Sequence, residues 1–363
     1  MKFFVTLICV AFYSLNIQAQ NDTLRFAIAG HGYGAHAGNN NGLHPPFLDA
    51  LDRLPNRHEF LILTGDIVRN SLPSSWDAVE NELAVRNIPS YYVRGNHDRN
   101  QPADTVFAAK HGGNYYHFSQ DSVLFIALNS GQYNANVAPT EIDFLNNTLQ
   151  SEAGNAKHIL VMFHFLLWNG DIKYKDISSN LGSQYSYLNS TANYWSDIHP
   201  ILNNYVNHNI YVVAGDLGGR SYSIPAYYEN LGHIKLIASG MGEIDDENYL
   251  EWTVTSGHVQ IDVIPLDSTL TTKSITEYEY FGTNTIAEHY SKPNIIRPLG
   301  NNMFQSNLDK PLQLTITNIA GQVVAQKTME AKELINLNDL SVGVYLVSSE
   351  QGYYNAVQKV QIQ

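Results

Sequence analysis

Two short apolar runs that each end in glycine and a polar side chain constrain the fold more than any other feature of the sequence. The first is residues 61–66 (LILTGD), and the second is residues 92–98 (YVRGNHD). Uninterrupted apolar runs of this kind are typical of buried parallel strands, whose carboxyl ends open into a site at one edge of the sheet. We therefore expect Asp66, Asn96 and His97 to lie together at such an edge. Oxygen donors beside an imidazole suit a divalent transition metal that polarises a phosphoryl group.

Three further apolar strands are predicted to end in metal-competent residues. They are residues 24–29 before His31, residues 158–163 before His164, and residues 210–214 before Asp216. Apolar residues at helical spacing predict crossover helices at 45–54 and 75–86, and a helix at 140–149 that is N-capped by Thr140. Right-handed crossover connections place the strand at 61–65 beside the strand at 24–29. Strands around 234–238 and 252–264 close the fold.

The motifs at these strand ends resemble those of the calcineurin-like metallophosphoesterases. That family carries, in order, D-x-H, GD-x-x-D, GNH[DE], an isolated His after an apolar strand, and GH-x-H. The second and third motifs are present as Gly65-Asp66 and as residues 95–98, and His164 resembles the isolated His. Arg69 stands where the second motif would carry its second Asp, and it either faces a substrate anion or makes a surface salt bridge.

Two of the family's motifs are altered. In the first motif, Gly30 and Gly32 stand where Asp and His are expected, with His31 between them. In the last motif, Asp216 and Gly218 replace the two histidines. The sequence therefore departs from the family at both ends of its metal-binding pattern.

The resemblance implies an α/β fold, the metallophosphoesterase-like four-layer α/β/β/α sandwich, for residues 20–265. It also implies a divalent metal cofactor, Mn, Fe or Zn, and one ion finds all four of its ligands in Asp66, Asn96, His164 and Asp216. The second metal position keeps Asp66 and, with a shift of one residue, His31. A capping imidazole in a glycine-rich turn is the alternative for His31, so one or two ions are expected.

The same resemblance implies hydrolysis of a small phosphomonoester or phosphodiester. Our hypothesis is that metal-bound hydroxide attacks phosphorus while His97 protonates the leaving oxygen. Asp98 is expected to orient His97 by accepting its other ring N–H. Two alternatives are a hydrolase of another ester and a non-catalytic cell-surface binding protein on the same scaffold. Residues 168–195 form either a loop that contacts the substrate or a solvated insertion.

Residues 1–19 are predicted to be a secretory signal peptide, because Lys2 precedes an apolar run that ends in small residues. No other segment is predicted to cross a membrane. The only cysteine, Cys9, lies in this segment, which excludes disulfides and cysteine-ligated zinc from the mature chain. The net charge of −13 becomes −14 without Lys2, the only charged residue of the segment. This acidic balance disfavours nucleic acid as a general partner.

The C-terminal part of the chain has a different pattern. Residues 266–298 are rich in Thr, Ser and Asn and are predicted to be a linker. Residues 299–363 combine short strands with Asn/Gly turns, which predicts a small all-β module. The module resembles the C-terminal sorting domain read by the type IX secretion machinery of Bacteroidetes, which implies that machinery as a partner and a secreted or cell-surface location. A carbohydrate-binding sandwich is the alternative.

Overall fold

A computed structural model of the chain describes residues 23–53, 57–99, 105–131, 135–180, 182–183, 188–255, 257–280, 296–300, 302–306, 312–318, 321–330, 332–351 and 354–362. The predicted signal peptide and residues 281–295 of the predicted linker lie outside these ranges. Among the described residues, no helix has both the length and the apolar character needed to cross a bilayer.

Helices and strands alternate in the N-terminal part, and strands alone follow in the C-terminal part. In chain order they are β1 (Thr23–Ala29), α1 (Pro45–Arg53), β2 (Phe60–Thr64), α2 (Pro73–Ala84), β3 (Ser90–Val93), α3 (Thr105–His111), β4 (Tyr116–Gln120), β5 (Val123–Ala127), α4 (Pro139–Glu152), β6 (His158–Phe163), β7 (Ser178–Ser179), β8 (Gly182–Ser183), α5 (His199–Leu202), β9 (Asn209–Gly218), β10 (Ala226–Leu231), β11 (Ile234–Met241), β12 (Asn248–Thr255), β13 (Val259–Pro265), β14 (Lys273–Ser274), β15 (Ile296–Gly300), β16 (Met303–Ser306), β17 (Leu312–Asn318), β18 (Val323–Met329), β19 (Leu334–Asn336), β20 (Gly343–Gln351) and β21 (Tyr354–Ile362). Short 3₁₀ helices span Ala153–Asn155, Leu167–Gly170, Ile172–Tyr174 and Ile275–Tyr278, and a π-helical turn spans Tyr194–Ile198.

Most described strands of the N-terminal part form two large mixed sheets, and β7 and β8 form a separate antiparallel pair. The first has the order β14-β13-β12-β1-β2-β3, in which β1, β2 and β3 are parallel. The second has the order β10-β11-β9-β6-β5-β4, in which β5, β6, β9 and β11 are parallel. The parallel pairing of β1 with β2 confirms the predicted crossover. It also brings the carboxyl ends of β1, β2 and β3 to one edge.

The two sheets pack face to face through alternating side chains of their strands. Phe26 on β1 lies 5.1 Å from Phe60 on β2 and 5.2 Å from Phe125 on β5, measured between ring centroids. On the opposite face of β2, Leu61 and Leu63 belong to a core that includes residues of α1 and α2. Residues of α4 pack in the same way on the outer face of the second sheet. The result is the four-layer α/β/β/α sandwich that the resemblance implies.

Three details differ from the sequence-based expectations. The strand predicted at 252–264 is a hairpin of two antiparallel strands, β12 and β13, in which Val254 pairs with Val259. The predicted N-cap at Thr140 is wrong: α4 begins at Pro139, with Ala138 at the N-cap. The sandwich also continues beyond residue 265, since β14 pairs with β13 and Ile275 joins the core between the sheets. The first part of the predicted linker therefore belongs to the sandwich.

The C-terminal part is an all-β module with its own apolar core, as predicted. Three strands form a sheet of order β15-β16-β19, and four form a sheet of order β18-β17-β20-β21. The predicted hairpin of β17 and β18 is present, with Gly321 in its turn at a φ of 78°. Ile316, Val347 and Phe304 are among the buried residues of the core.

Glu141, in the first turn of α4, makes the stability of the sandwich depend on pH. Its buried carboxylate accepts a hydrogen bond from the backbone N–H of Asn129 at 2.7 Å. Burial raises the pKa of Glu141 to about 7 from an ordinary value of 4.5. Between these values the folded state keeps a proton that the unfolded state loses, so this carboxyl lowers the free energy of unfolding as the pH rises. We expect the stability of Glu141→Gln relative to wild type to increase by about 1–2 kcal/mol from pH 5 to pH 8.

Urea unfolding at the two pH values tests this expectation. All four tryptophans, Trp76, Trp168, Trp195 and Trp252, lie in the N-terminal part, so their fluorescence reports its unfolding. Glu152→Gln, at the other end of α4, is the matched control and should show no such dependence. An equal effect of Glu141→Gln at both pH values would contradict the account of this carboxyl.

Candidate metal centre and active site

Asp66, just after β2, is the centre of the site. The chain turns there through two residues with positive φ, Gly65 at 91° and Asp66 at 50°. A Cβ at position 65 would lie 2.4 Å from Nδ1 of His164, so only glycine fits. Positive φ at a non-glycine residue costs about 1–3 kcal/mol and persists only where the surroundings hold it. The turn therefore fixes a fully buried carboxylate at the sheet edge.

His164 and Asp216 meet Asp66 from the second sheet. His164 Nε2 lies 3.3 Å from Asp66 Oδ1 and 3.5 Å from Asp216 Oδ1, and all three side chains are fully buried. One ligand atom of each residue lies within 4.8 Å of the other two. His164 Nδ1 donates a hydrogen bond to the Thr64 carbonyl at 3.1 Å. This bond turns Nε2 toward the two carboxylates, as in metal sites where a carbonyl orients the ligating imidazole.

Asn96 adds an oxygen to a set of buried polar atoms without a hydrogen-bond partner in the part of the chain that the structure describes. Its neighbours both contact the Asp66 carboxylate: the N–H of His97 donates to Asp66 Oδ1 at 2.9 Å, and a Cβ at Gly95 would lie 2.4 Å from the same oxygen. Among the described residues, Asn96 Oδ1, Asp66 Oδ2 and His164 Nε2 are buried without a hydrogen-bond partner. Buried polar atoms are almost always hydrogen-bonded, so this group calls for a ligand. Carboxylate, amide and imidazole donors fit a divalent metal ion.

The electrostatics of the cluster favour a bound cation. Burial alone would lower the pKa of His164, but the Asp66 and Asp216 carboxylates raise it to about 10. Burial raises the pKa of Asp216 to about 7. In Asp66 the opposing effect of burial is overcome by His164 and His97, which hold the pKa of that carboxyl well below its usual range. Negative charge is thus concentrated where water is excluded, and a divalent ion would displace the proton from His164.

His31, after β1, lies on the Oδ2 side of Asp66. Its Nε2 is 3.9 Å from Asp66 Oδ2, and the imidazole is fully buried. Neither ring nitrogen has a hydrogen-bond partner of good geometry among the described residues, and both the turn-capping and the metal-binding interpretations of His31 stay predictions. Burial lowers the pKa of His31 to about 4, which leaves a neutral imidazole able to bind a metal.

Gly30 and Gly218 leave no room for the ligands that the family carries at those positions. A Cβ at Gly30 would lie 2.4 Å from the carbonyl oxygens of Gly215 and Ser239. A Cβ at Gly218, where φ is 77°, would lie 2.3 Å from the Met241 carbonyl oxygen. The backbone of β9 and β11 therefore fills the space that these side chains would need. Of the predicted ligands for a second ion, the structure provides His31 and Asp66.

His97 lies beside the cluster, but Asp98 does not orient it. The His97 Nδ1 donates to the Arg69 carbonyl at 2.8 Å, and Nε2 lies 3.5 Å from the Tyr33 hydroxyl. Asp98 instead accepts backbone N–H groups from Ile67 at 2.8 Å, Val68 at 3.1 Å and Gly95 at 2.7 Å. The predicted role of Asp98 is therefore wrong. A buried carboxylate next to two turns is stabilised by hydrogen bonds from the backbone amides of those turns. Asp98 therefore links the turn at Asp66 to the turn at Asn96.

Sequence reasoning missed two residues of the site, Asn180 and Tyr33. Asn180 Nδ2 donates to Asp216 Oδ1 at 3.3 Å, which positions that carboxylate. The Tyr33 ring lies between two imidazoles, with its centroid 4.4 Å from that of His31 and 5.0 Å from that of His97. Tyr33 stands inside an altered motif and could have been found by its position. Asn180 lies in the stretch 168–195, which has no periodicity, so only the tertiary fold reveals it.

Comparison with family models agrees with this geometry. Residues 31–190 match the model described as calcineurin-like phosphoesterase. Residues 300–363 match the model described as secretion system C-terminal sorting domain. The chain therefore contains a region similar to the calcineurin-like phosphoesterases and a C-terminal region similar to secretion sorting domains. The phosphoesterase match includes Asp66, Asn96, His97 and His164 and ends before Asp216. The sorting domain indicates a secreted or cell-surface protein that is handled by the type IX secretion machinery.

Solved structures show the same fold. A dimetal phosphatase from Danio rerio is similar with a TM-score of 0.50 and 10% identity, over 69% of this chain and 98% of that chain. A purple acid phosphatase from yellow lupin (Lupinus luteus) seeds is similar with a TM-score of 0.53 and 13% identity, over 70% of this chain. The match covers 53% of the lupin chain, so this chain spans about half of its length. No curated protein sequence matches significantly.

Replacement of Asp98 tests its role as an acceptor for backbone amides. Asp98→Ala leaves the N–H groups of Ile67, Val68 and Gly95 buried without that acceptor, and we expect a loss of about 3–5 kcal/mol in the free energy of unfolding. Urea unfolding followed by tryptophan fluorescence measures the loss. Asp262→Ala, at a half-exposed position on β13, is the control and should change stability by less than about 0.5 kcal/mol. An Asp98→Ala protein as stable as the control would refute this role.

Proposed function

We propose that this protein is a secreted metal-dependent phosphoesterase that hydrolyses a small phosphomonoester or phosphodiester. One observation carries the proposal: one fully buried ligand atom each of Asp66, His164 and Asp216 lies within 4.8 Å of the others, and the adjacent His97 donates its backbone N–H to Asp66 Oδ1. A site that only binds a ligand would not need a proton donor at that position. The sorting domain supplies the route out of the cell.

In this proposal Asp66, Asn96, His164 and Asp216 hold one divalent ion, Mn, Fe or Zn. When bound, the ion would neutralise a phosphoryl oxygen and lower the pKa of a water molecule toward neutrality. Asn180 holds the Asp216 carboxylate, and Thr64 holds the His164 ring, so two of the ligands have their orientation fixed before metal binding. The closed space at Gly30 and Gly218 supports one ion rather than two.

His97 acts as the general acid. Its Nδ1 is committed to the Arg69 carbonyl, so Nε2 is the nitrogen that can deliver a proton to the leaving oxygen. The hydrogen bond from its backbone N–H to Asp66 keeps the ring adjacent to a metal ligand. Burial raises the pKa of Tyr33, which keeps its hydroxyl protonated beside Nε2 at 3.5 Å. The Arg69 carbonyl takes the orienting role first given to Asp98.

A non-catalytic cell-surface binding protein is the second candidate. It is favoured by the glycines at positions 30 and 218, which remove ligands of a second ion. The two candidates differ in one measurement, hydrolysis of aryl phosphate monoesters and diesters by the folded, metal-loaded protein. Metal binding without hydrolysis of either ester would favour the binding protein.

The general-acid role predicts a specific effect of His97→Ala. We expect kcat for an aryl phosphate to fall by a factor of about 10²–10⁴, because the leaving oxygen would depart without a proton. Metal content per chain should stay at the wild-type value, since His97 contributes no ligand atom. His117→Ala, at an exposed position on β4, is the matched control and should keep wild-type kcat. If His97→Ala also keeps wild-type kcat, His97 is not the acid.

A further inference from the structure

The ring of His97 lines a cleft of about 390 Å³ that has no role in the reaction proposed above. Its lining includes Arg69, Asn70, Ser71, Asn96, His97 and Arg99. Asn96 and His97 belong to the proposed active site as well as to this lining. The cleft is therefore continuous with the place where the leaving oxygen would lie.

The position of His97 decides which part of a substrate enters the cleft. A general acid must lie within hydrogen-bond reach of the oxygen that leaves, so the group attached to that oxygen lies on the side of His97. The phosphoryl group would occupy the metal side, bounded by Asp66 and His164. The lining of the cleft therefore contacts the leaving group and not the transferred phosphoryl group.

The charge of the cleft contrasts with that of the whole chain. Among the described residues that line it, two carry a guanidinium and none carries a carboxylate, although the net charge of the protein is −13. The Arg69 guanidinium is held in place, because it donates to the carbonyls of Ala35 and His36 and stacks 4.7 Å from the centroid of Tyr33. Arg99 donates to the Gly131 carbonyl at 3.3 Å. Hydrogen bonds to backbone carbonyls thus hold both guanidinium groups at the wall of the cleft.

We propose that the cleft binds a second anionic group, so the substrate is a phosphate ester whose leaving alcohol itself carries a phosphate or a carboxylate. Guanidinium groups with adjacent amide and hydroxyl donors are the usual partners of such oxyanions. This inference rests on the proposed phosphoesterase activity. In the reaction, water oxygen bonds to phosphorus and releases a proton to solvent. The P–O bond to the alcohol breaks with its electron pair on oxygen, that oxygen takes a proton from His97, and His97 regains a proton from solvent. The products are inorganic phosphate and an anionic alcohol.

Binding of non-hydrolysable phosphonates tests the cleft independently of turnover. The probes are phenylphosphonate, 4-carboxyphenylphosphonate and benzene-1,4-diphosphonate, titrated calorimetrically into the full-length metal-loaded protein. We expect the two compounds with a second anion to bind about tenfold more tightly than phenylphosphonate. Their ratio shows whether carboxylate or phosphate is preferred. Equal affinity of all three compounds would overturn the proposal.

Variants assign the effect to the cleft. Arg99→Gln should remove the preference for the second anion while keeping the affinity for phenylphosphonate, which shows that the site is intact. Arg99→Lys, which keeps the charge, should retain part of the preference. Arg25→Gln, at an exposed position on β1, removes the same charge and should change nothing. An equal loss in Arg25→Gln and Arg99→Gln would overturn the proposal, because the effect would then come from overall charge.

Hydrolysis separates failure of this inference from failure of the proposed function. Phenyl phosphate has an uncharged leaving group, so its turnover tests the phosphoesterase alone. Turnover without any preference among the phosphonates would reject the anionic cleft and keep the enzyme. Selective phosphonate binding without turnover of any ester would reject the enzyme and keep an anion-binding cleft.

Discussion

The buried carboxylate of Asp66 is the interaction on which the rest of the site depends. It accepts the backbone N–H of His97, lies 3.3 Å from His164 and faces His31 with its second oxygen. A carboxylate in such a place needs hydrogen-bond donors or positive charge around it. The first sheet provides the N–H of His97, and the second provides His164, whose pKa is raised. Placing the carboxylate there requires left-handed backbone at Gly65 and Asp66, which costs conformational free energy. The Asp98 carboxylate stabilises this turn by accepting hydrogen bonds from the two backbone amides that follow it.

In this arrangement the two carboxylate oxygens of Asp66 have different surroundings, and the two metal positions therefore differ in the ligands available to them. On the Oδ1 side, His164 and Asp216 supply nitrogen and oxygen donors that are oriented by Thr64 and Asn180, respectively. Asn96 precedes His97, whose backbone N–H donates to the same oxygen. On the Oδ2 side, backbone from β9 and β11 occupies the places of two family ligands, and His31 remains. Our proposal of a single ion with an imidazole beside it rests on this inequality, whereas a fold neighbour is a dimetal phosphatase. The similarity to that phosphatase shows the fold. The number of metal ions that bind here depends on the residues of this chain.

The sequence predicted most of the sandwich because its signals are local. Uninterrupted apolar strands such as β2 and β6, each followed by a polar residue, reveal both the sheet and the edge where the site lies. The roles of side chains that depend on the orientation of a single atom could not be predicted from the sequence. Asp98 follows His97 in the chain, yet its carboxylate turns to three amides, because a buried acceptor is stabilised most by the unpaired donors around it. Asn180 contacts Asp216 only because of tertiary packing. The turn between β12 and β13 could not be recognised, because the alternating apolar pattern continues across it.

Anomalous diffraction from crystals of the Mn²⁺-loaded protein is the most direct test of the central claim that one metal ion binds at Asp66. The account predicts one anomalous peak per chain, within coordination distance of Asp66, Asn96, His164 and Asp216. Two peaks bridged by Asp66, or a single peak bound by His31 without Asp216, would contradict it.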